Sequence, residues 1–248
     1  MRCRCDHLPD LPERNTSEIL VVVGLPDFYV ARPPGAYAEA DRSFEQLWRE
    51  HVAHGDLALV YRLLAPRWQF LCWLADTNGL LLHGSGSSDI TEFEPRQAND
   101  VAEFGDRTAV YAASDGLWAM YFALVDRKQG SSLVNASLHV LNADGSGAGQ
   151  YYYFSVDRKT LGPEVWRPGY VYVLPRTGFE SEPEEQAYGL RLGSTQWASA
   201  AAVTPLARVE VTPADFPLLE QVQDHDQATV ARRASSQPDD FPWLSPAG

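Results

Sequence analysis

The sequence predicts an α+β fold, in which a mostly helical N-terminal portion precedes a core of short strands. Apolar side chains in residues 44–52 recur at the spacing of an amphipathic helix. From Leu80 onward, short apolar runs alternate with clusters of Gly, Pro and Asp, which is typical of strands joined by turns. One further helical pattern, at residues 115–127, interrupts these strands. An apolar fraction of 45% allows a core of ordinary size.

Turn-forming and helix-ending residues divide the N-terminal portion. Residues 19–25 form a β-branched run that predicts a strand, and Gly55 ends the helix that follows it. Residues 57–65 are predicted to form a further capped segment that ends at a proline. Residues 67–76 are rich in Trp, Phe and Leu, and this composition leaves helix and strand open. The Asn-Gly pair at residues 78–79 predicts a tight turn.

The core portion contains one helix and four strand candidates. Ser114 is a good N-cap for the helix at residues 115–127, whose apolar side chains are expected to form one face. Gly130 provides the C-terminal stop of this helix. The strand candidates are residues 137–141, 151–156, 170–174 and 207–211.

No linker separates the strands of the core, so the sequence predicts one α+β core with two flanking parts. Residues 1–79 are expected to form a mostly helical portion packed on the core, and residues 80–222 to form the core itself. Residues 223–248 are rich in Ala, Ser, Pro and Asp and show no periodic pattern. We therefore expect a mobile tail there.

The charge of the chain restricts its partners. A net charge of −13 disfavours nucleic acids and anionic membranes, because both are polyanions. No run approaches the roughly 20 apolar residues that a membrane helix needs. The basic N-terminus is not followed by an apolar segment, and Cys72 lies in an apolar run where a reduced thiol is usual. These features predict a cytoplasmic protein.

Two strand ends carry the residues with the clearest chemical potential. His83 follows three leucines and precedes Gly84 and Ser85, so an imidazole lies where a buried strand meets a flexible loop. A neutral imidazole can exchange hydrogen bonds with a sugar hydroxyl, and a glycine allows a ligand to approach the backbone closely. Tyr111 ends the next apolar run and could stack on a flat ring. The alternatives are a histidine that binds a loop carbonyl and a tyrosine that belongs to the core.

The order of these residues resembles that of the ADP-ribosyltransferase superfamily, in the branch with a His-Tyr-acid triad. The resemblance rests on His83-Gly84-Ser85 and on Tyr111 followed by a helix, and it extends over about residues 80–217. It implies a split, mixed or antiparallel sheet of ADP-ribosyltransferase type, as in small bacterial members of the superfamily. It also implies that NAD is the substrate, with His83 on the nicotinamide ribose and Tyr111 on the nicotinamide ring.

The third residue of the triad departs from the pattern that the resemblance implies. A glutamate is typical there, whereas the best-placed position of this sequence is Gln196. An amide can bind a ribose hydroxyl but supplies no negative charge beside a developing positive charge. Glu210 on the following strand is the substitute. The resemblance therefore implies transfer chemistry that would depend on Gln196 or Glu210.

Other candidate sites carry weaker signals. Arg96 and Arg107, between the two strands, could contact a diphosphate, and we favour Arg96. Cys3, Cys5 and His7 lie close in sequence, but a structural zinc site needs four ligands, so no metal is expected.

Three functional hypotheses follow. The first is a protein that binds NAD, a small-molecule nucleotide, and that either transfers ADP-ribose to an unknown acceptor, such as a protein, or hydrolyses NAD. The second is a catalytically inactive module of the same fold that binds a nucleotide or a protein. The third, an RNA 2′-phosphotransferase, is disfavoured because the chain is acidic.

Overall fold

The computed structural model describes residues 24–35, 37–98, 102–127, 132–237 and 240–243, with side chains from residue 40 onward in the first helix. Four α-helices lie in this part of the chain: α1 (Tyr37–His54), α2 (Arg67–Asn78), α3 (Gly116–Leu124) and α4 (Gln227–Ser236). The strands are β1 (Val30–Ala31), β2 (Ala58–Leu59), β3 (Leu81–Ser85), β4 (Arg96–Gln97), β5 (Thr108–Ala113), β6 (Leu133–Leu141), β7 (Gly147–Asp157), β8 (Gly169–Leu174), β9 (Glu180–Ser181), β10 (Glu185–Ala187), β11 (Leu190–Ser194), β12 (Gln196–Ser199), β13 (Ala207–Val211) and β14 (Gln223–His225).

The strands form two sheets, and the α+β class predicted from the sequence is confirmed. The first sheet has the order β1-β7-β6-β11-β10, with β14 also paired to β7. The second has the order β2-β13-β8-β3-β5-β12-β9, with β4 paired to β5. Two pairs, β2 with β13 and β14 with β7, are parallel, and the other pairs are antiparallel. All four strand candidates lie within strands of these sheets.

Thr195 connects the two sheets at a single buried residue. Its backbone N–H donates to the carbonyl of Ser137 on β6, at 3.3 Å. Its own carbonyl accepts from the N–H of Ser114, which follows β5, at 2.9 Å. The chain therefore passes from β11 in the first sheet to β12 in the second without a loop. This crossing holds the two sheets together next to the start of α3.

Helices α1, α2 and α3 pack together beside the second sheet and share one core with the strands. The amphipathic helix predicted at residues 44–52 is confirmed as part of α1, where the ring of Phe44 lies 5.5 Å from that of Phe70 on α2. Helix α3 contacts α2 on one side and strands β3 and β8 on the other. The ring of Tyr121 on α3 also lies 4.5 Å from that of Phe154 on β7. The core thus extends from the N-terminal helices to both sheets.

Three predicted details of the helices are wrong. Residues 57–65 contain the short strand β2 and otherwise irregular chain, because residues 58–59 pair with β13. The N-cap of α3 is Asp115, whose carboxylate accepts from the N–H of Trp118, so the helix begins one residue later than Ser114 predicts. The apolar residues of α3 do not form one face, because every residue of this helix except Phe122 is buried.

The structure defines the conformation of residues 67–76, which the sequence left open, and of the turn that follows them. Residues 67–76 belong to α2, which is buried on nearly all sides and therefore lacks an amphipathic pattern. Gly79 ends α2 in the left-handed conformation, with φ of 61°, as the predicted turn requires. Helix α3 ends at Leu124 rather than at residue 127, so the prediction that Gly130 stops it is wrong. Residues 19–23 and the cysteine pair near the N-terminus lie outside the described residues.

The prediction of a mobile tail after residue 222 is wrong for the described residues 223–237 and 240–243. Strand β14 pairs with β7, and α4 buries Val230 against Val134 and Tyr153. The ring of Phe241 lies 5.5 Å from that of Tyr153. The segment is ordered by tertiary contacts, and a composition rich in Ala, Ser and Asp does not reveal these contacts.

Candidate functional site

The predicted site residues gather where β3 and β5 separate. The two strands pair only at Leu82 and Ala113, and beyond this point β4 takes the place beside β5. The Nδ1 atom of His83 lies 2.6 Å from the carbonyl oxygen of Tyr111 across the gap. This side-chain hydrogen bond stands where a backbone bond between the strands would otherwise form. Strands β3 and β5 therefore diverge at His83 within one sheet.

The hydrogen bond determines the chemical form of His83. A carbonyl oxygen only accepts, so Nδ1 carries the proton and Nε2 of the neutral ring is an acceptor. Burial lowers the pKa of His83, an effect that the bond to Tyr111 partly offsets and the charge of Arg127 increases. The ring is half-buried and lies 4.6 Å from that of Phe93. At neutral pH, His83 is thus an uncharged hydrogen-bond acceptor.

His83 and Tyr111 point to opposite faces of the second sheet. Leu82 and Ala113 are directly opposed, so their side chains share a face. Because side chains alternate along a strand, Tyr111 lies on that same face and His83 on the other. The two residues are therefore joined by the hydrogen bond from His83 to the Tyr111 carbonyl. Their side chains do not face the same ligand.

The contacts of Tyr111 are those of a core residue. Its ring packs with Phe104, Ala109 and Ala198. Its hydroxyl accepts from the N–H of Arg107 at 2.9 Å and donates to the carbonyl of Phe104, also at 2.9 Å. The hydroxyl closes the turn that precedes β5. This is the structural alternative that the sequence left open for Tyr111.

Gly84 admits a helix to the strand rather than a ligand. A Cβ atom at this position would lie 2.0 Å from the carbonyl oxygen of Ala119 and 2.6 Å from the nitrogen of Ala123, both in the backbone of α3. Ser85 is also engaged locally, because its hydroxyl accepts from the N–H of Ser87 at 3.1 Å. The expected contact between Gly84 and a ligand is thus replaced on this face by helix packing.

Gln196 is separated from His83 by the sheet. It opposes Ala113 on β5, so it lies on the face of Tyr111. Glu210 occupies the other face, because it opposes Tyr170, and Tyr170 in turn opposes Ser85 on β3. Its carboxylate is exposed. Glu210 is therefore the sequence-predicted acid that shares the face of His83.

The two predicted arginines lie away from this position. Arg96 is exposed on β4, opposite Ala109 of β5. Arg107 forms an ion pair with Glu180 at 2.6 Å and lies over the ring of Phe104. Neither contact involves His83.

The structure adds an aromatic and two cationic side chains to the end of β3. Phe122 and Arg127 come from the region of α3, and Arg167 precedes β8. The guanidinium carbon of Arg127 lies 4.8 Å from the centre of the Phe122 ring. The guanidinium of Arg167 covers the backbone of Gly86, immediately after β3. No sequence motif marks these residues, because Arg167 reaches the strand from more than 80 positions away.

A second polar cluster lies at the start of α3 and is internally satisfied. Arg32 donates to Asp76 at 2.6 Å, to Asp115 at 2.5 Å and to the hydroxyl of Tyr152 at 3.0 Å. Tyr152 donates in turn to Asp115 at 2.7 Å. Burial alone would lower the pKa of Arg32, but Asp115 and the other partners raise it. This arrangement holds the segment after β1 to α2, α3 and β7.

No family model, curated protein or solved structure matches this chain. Within the described ranges, no helix is long and apolar enough to cross a membrane. In the same ranges, no three His, Cys, Asp or Glu side chains form a cluster that could hold a metal ion. The geometry around β3 is therefore the feature from which a function can be inferred.

Proposed function

We propose that this protein has an ADP-ribosyltransferase-like fold and binds a nucleotide of the NAD type at the end of β3. The observation that carries the proposal is the 2.6 Å hydrogen bond from Nδ1 of His83 to the Tyr111 carbonyl. It orients the ring and makes Nε2 an acceptor for a ribose hydroxyl. The resemblance of His83-Gly84-Ser85 to the superfamily motif supports the same ligand.

The surroundings of His83 suit a nucleotide better than an apolar ligand. Phe93 provides an aromatic ring 4.6 Å from that of His83, and the charge of Arg127 acts on the imidazole. Phe122 belongs to α3, which covers the opposite face of β3 at Gly84, and Arg167 covers Gly86. Rings, hydroxyl acceptors and guanidinium groups are the groups that bases, riboses and phosphates need.

A calorimetric titration with NAD tests the binding. We expect the wild-type protein to bind NAD and the variant His83→Ala to bind at least about tenfold more weakly, since a hydrogen bond in a desolvated site is lost. His54→Ala is the matched control, because His54 is an exposed histidine on α1. Thermal unfolding of both variants checks that they are folded. Equal NAD affinity in the wild type and His83→Ala contradicts the proposal.

Transfer of ADP-ribose, or hydrolysis of NAD, is the second candidate function and requires a carboxylate near the ribose. The observation that favours it is the position of Glu210 on the face of His83. A carboxylate there could stabilise positive charge as the bond to nicotinamide breaks. The exposure of Glu210 and the position of Gln196 on the other face favour instead a binding module without catalysis.

An assay for the release of nicotinamide from NAD distinguishes an enzyme from a binding module without catalysis. If the protein is an enzyme, Glu210→Gln should lower the rate about a hundredfold, because the charge is removed and the shape is kept. Gln196→Glu should leave the rate unchanged, because its side chain lies on the opposite face. A rate increase in Gln196→Glu would show that the catalytic face is the other one. Binding of NAD without nicotinamide release would identify the inactive module.

A further inference from the structure

We propose that the rings of Tyr29, Tyr188 and Phe241 form a binding site for a quaternary ammonium cation. The carboxylate of Glu185 supplies the negative charge of this site. The site lies on the first sheet, whereas His83 lies on the second, so it does not depend on the proposed nucleotide function. Aromatic faces attract cations electrostatically, and the quaternary ammonium group occurs in choline and in trimethyllysine side chains.

Three distant segments of the chain bring these rings together over the first sheet. Tyr29 precedes β1, Tyr188 lies between β10 and β11, and Phe241 follows α4. The ring of Tyr29 lies 6.3 Å from that of Tyr188, with an angle of 70° between their planes. It also lies 6.3 Å from the ring of Phe241, which is nearly parallel to it at 22°. Tyr29 and Tyr188 are therefore two steeply inclined walls of an aromatic corner.

The aromatic cluster extends from the buried face of the sheet to the protein surface. Tyr153 on β7 is buried, and its ring lies 5.5 Å from that of Phe241. Tyr29 and Phe241 are half-buried, and Tyr188 is 40% exposed. The inner rings thus hold the cluster on the sheet, whereas the outermost ring remains accessible. A ligand can reach Tyr188 without displacing the core.

The backbone at Tyr188 has a conformation that is unfavourable for a tyrosine. Strands β10 and β11 pair on both sides of Tyr188 and Gly189, which form a two-residue hairpin turn. Both residues have a positive φ, 56° and 73°, as in a type I′ turn, where Asn is preferred at the first position. Within the described ranges, the other non-glycine residue with a positive φ is Trp243, whose ring lies 5.2 Å from that of Phe241. Backbone strain that is concentrated in one aromatic cluster is typical of a ligand site.

The charges around this corner are complementary to a cation. Glu185 shares a face of β10 with Ala187, which packs in the same apolar cluster as Tyr29. Burial raises the pKa of Tyr29 and of Tyr188, and the negative charge of Glu185 raises both further. Among the described residues, Glu185 has no ion-pair partner, and no Lys or Arg lies over the ring of Tyr29 or Tyr188. An exposed carboxylate and two electron-rich rings can therefore bind a cation from outside.

Calorimetric titration with choline chloride at constant ionic strength tests the site. We expect the wild-type protein to bind choline at least about fivefold more tightly than 3,3-dimethylbutanol, its uncharged isostere. Tyr188→Asn should weaken choline binding about fivefold or more and raise the midpoint of thermal unfolding, because asparagine suits the turn. Glu185→Gln should also weaken binding. Glu164→Gln is its matched control, since Glu164 is an exposed glutamate without an ion pair among the described residues.

Each outcome of the titration supports or overturns the site. Equal affinity for choline and its uncharged isostere overturns it, as does unchanged choline affinity in Tyr188→Asn or the absence of binding at tens of millimolar choline. Loss of choline binding together with a lower unfolding midpoint in Tyr188→Asn also overturns it, because the ring would then serve the fold. A parallel titration with a trimethyllysine peptide identifies the source of the cation. Tighter binding of the peptide supports a protein partner, and tighter binding of choline supports a small molecule.

Discussion

Asp115 has more structural contacts than an ordinary helix cap. One carboxylate oxygen accepts from the N–H of Trp118 at 2.7 Å and so begins α3. The other accepts from Arg32 and from the hydroxyl of Tyr152. The side chain is fully buried. A buried carboxylate is tolerated because its charge is paired and its oxygens accept hydrogen bonds.

Because Asp115 both caps α3 and pairs with Arg32, we expect a large loss of stability when its side chain is removed. Asp115→Ala should lower the free energy of unfolding by about 3–5 kcal/mol, because Arg32 is left without its buried partner. Asp226→Ala is the matched control, since Asp226 is the exposed N-cap of α4, and it should cost about 1 kcal/mol. Urea unfolding of the two variants measures the difference. Equal losses would mean that the ion pair with Arg32 adds nothing beyond the cap.

The sequence indicated the position of this cap to within one residue. Ser114 and Asp115 are both favoured N-caps, so local preference alone does not choose between them. The choice follows from Arg32 and Tyr152, which lie 83 and 37 residues away in the chain. Contacts between residues this far apart leave no pattern in the sequence around the cap.

At the scale of elements, helix α3 and the second sheet approach each other at two glycines. A Cβ atom on Gly84 of β3 or on Gly169 of β8 would lie 2.0 Å from a backbone carbonyl oxygen of α3. The helix therefore lies directly on the strands, without side chains between them. This contact explains why α3 is buried on nearly all sides and lacks the one-sided pattern of a surface helix.

The contact at Gly84 predicts how two neighbouring glycines differ when they are replaced. Gly84→Ala should lower the free energy of unfolding by at least about 1–3 kcal/mol, because backbone atoms of α3 must move. Gly86→Ala should cost less, because it displaces only the flexible end of Arg167. Denaturant midpoints of the two variants test the order. A larger loss in Gly86→Ala would contradict it.

The register of β3 and β5 also decided which candidate residues share a site. The sequence correctly indicated both strands, but a shift of one residue in register would exchange the faces of all their side chains. The pairing of Leu82 with Ala113 places His83 and Tyr111 on opposite faces. The spacing within either strand carries no information on this pairing.

At the scale of the whole molecule, several histidines are kept uncharged by burial. Burial lowers the pKa of His83, of His139 on β6 and of His225 on β14. His225 is almost wholly buried, and its Nδ1 lies 2.7 Å from the hydroxyl of Ser155. Its Nε2 atom has no hydrogen-bond partner among the described residues. The fold thus contains imidazoles that resist protonation.

These histidines predict that stability falls on mild acidification. Their folded pKa lies below the unfolded value of about 6.5, so the unfolded chain binds more protons as the pH falls through that value. The free energy of unfolding should therefore be highest above pH about 6.5 and decrease below it, by at most about 1.4 kcal/mol per pH unit for each histidine. Urea unfolding between pH about 7.5 and 5.5 measures the slope. His225→Gln should reduce it, and a flat wild-type profile would contradict the prediction.

The sequence by itself determined the α+β class, the helix at residues 44–52 and the four strands, because each depends on the local spacing of apolar residues. It also indicated His83 as a residue of interest. Only the tertiary structure decided the helix at residues 67–78, the ordered C-terminal segment, the face of each site residue and the approach of Arg167 to Gly86. These features depend on pairing and packing between residues that are distant in the chain, whereas hydrophobic periodicity reports only on neighbours along it.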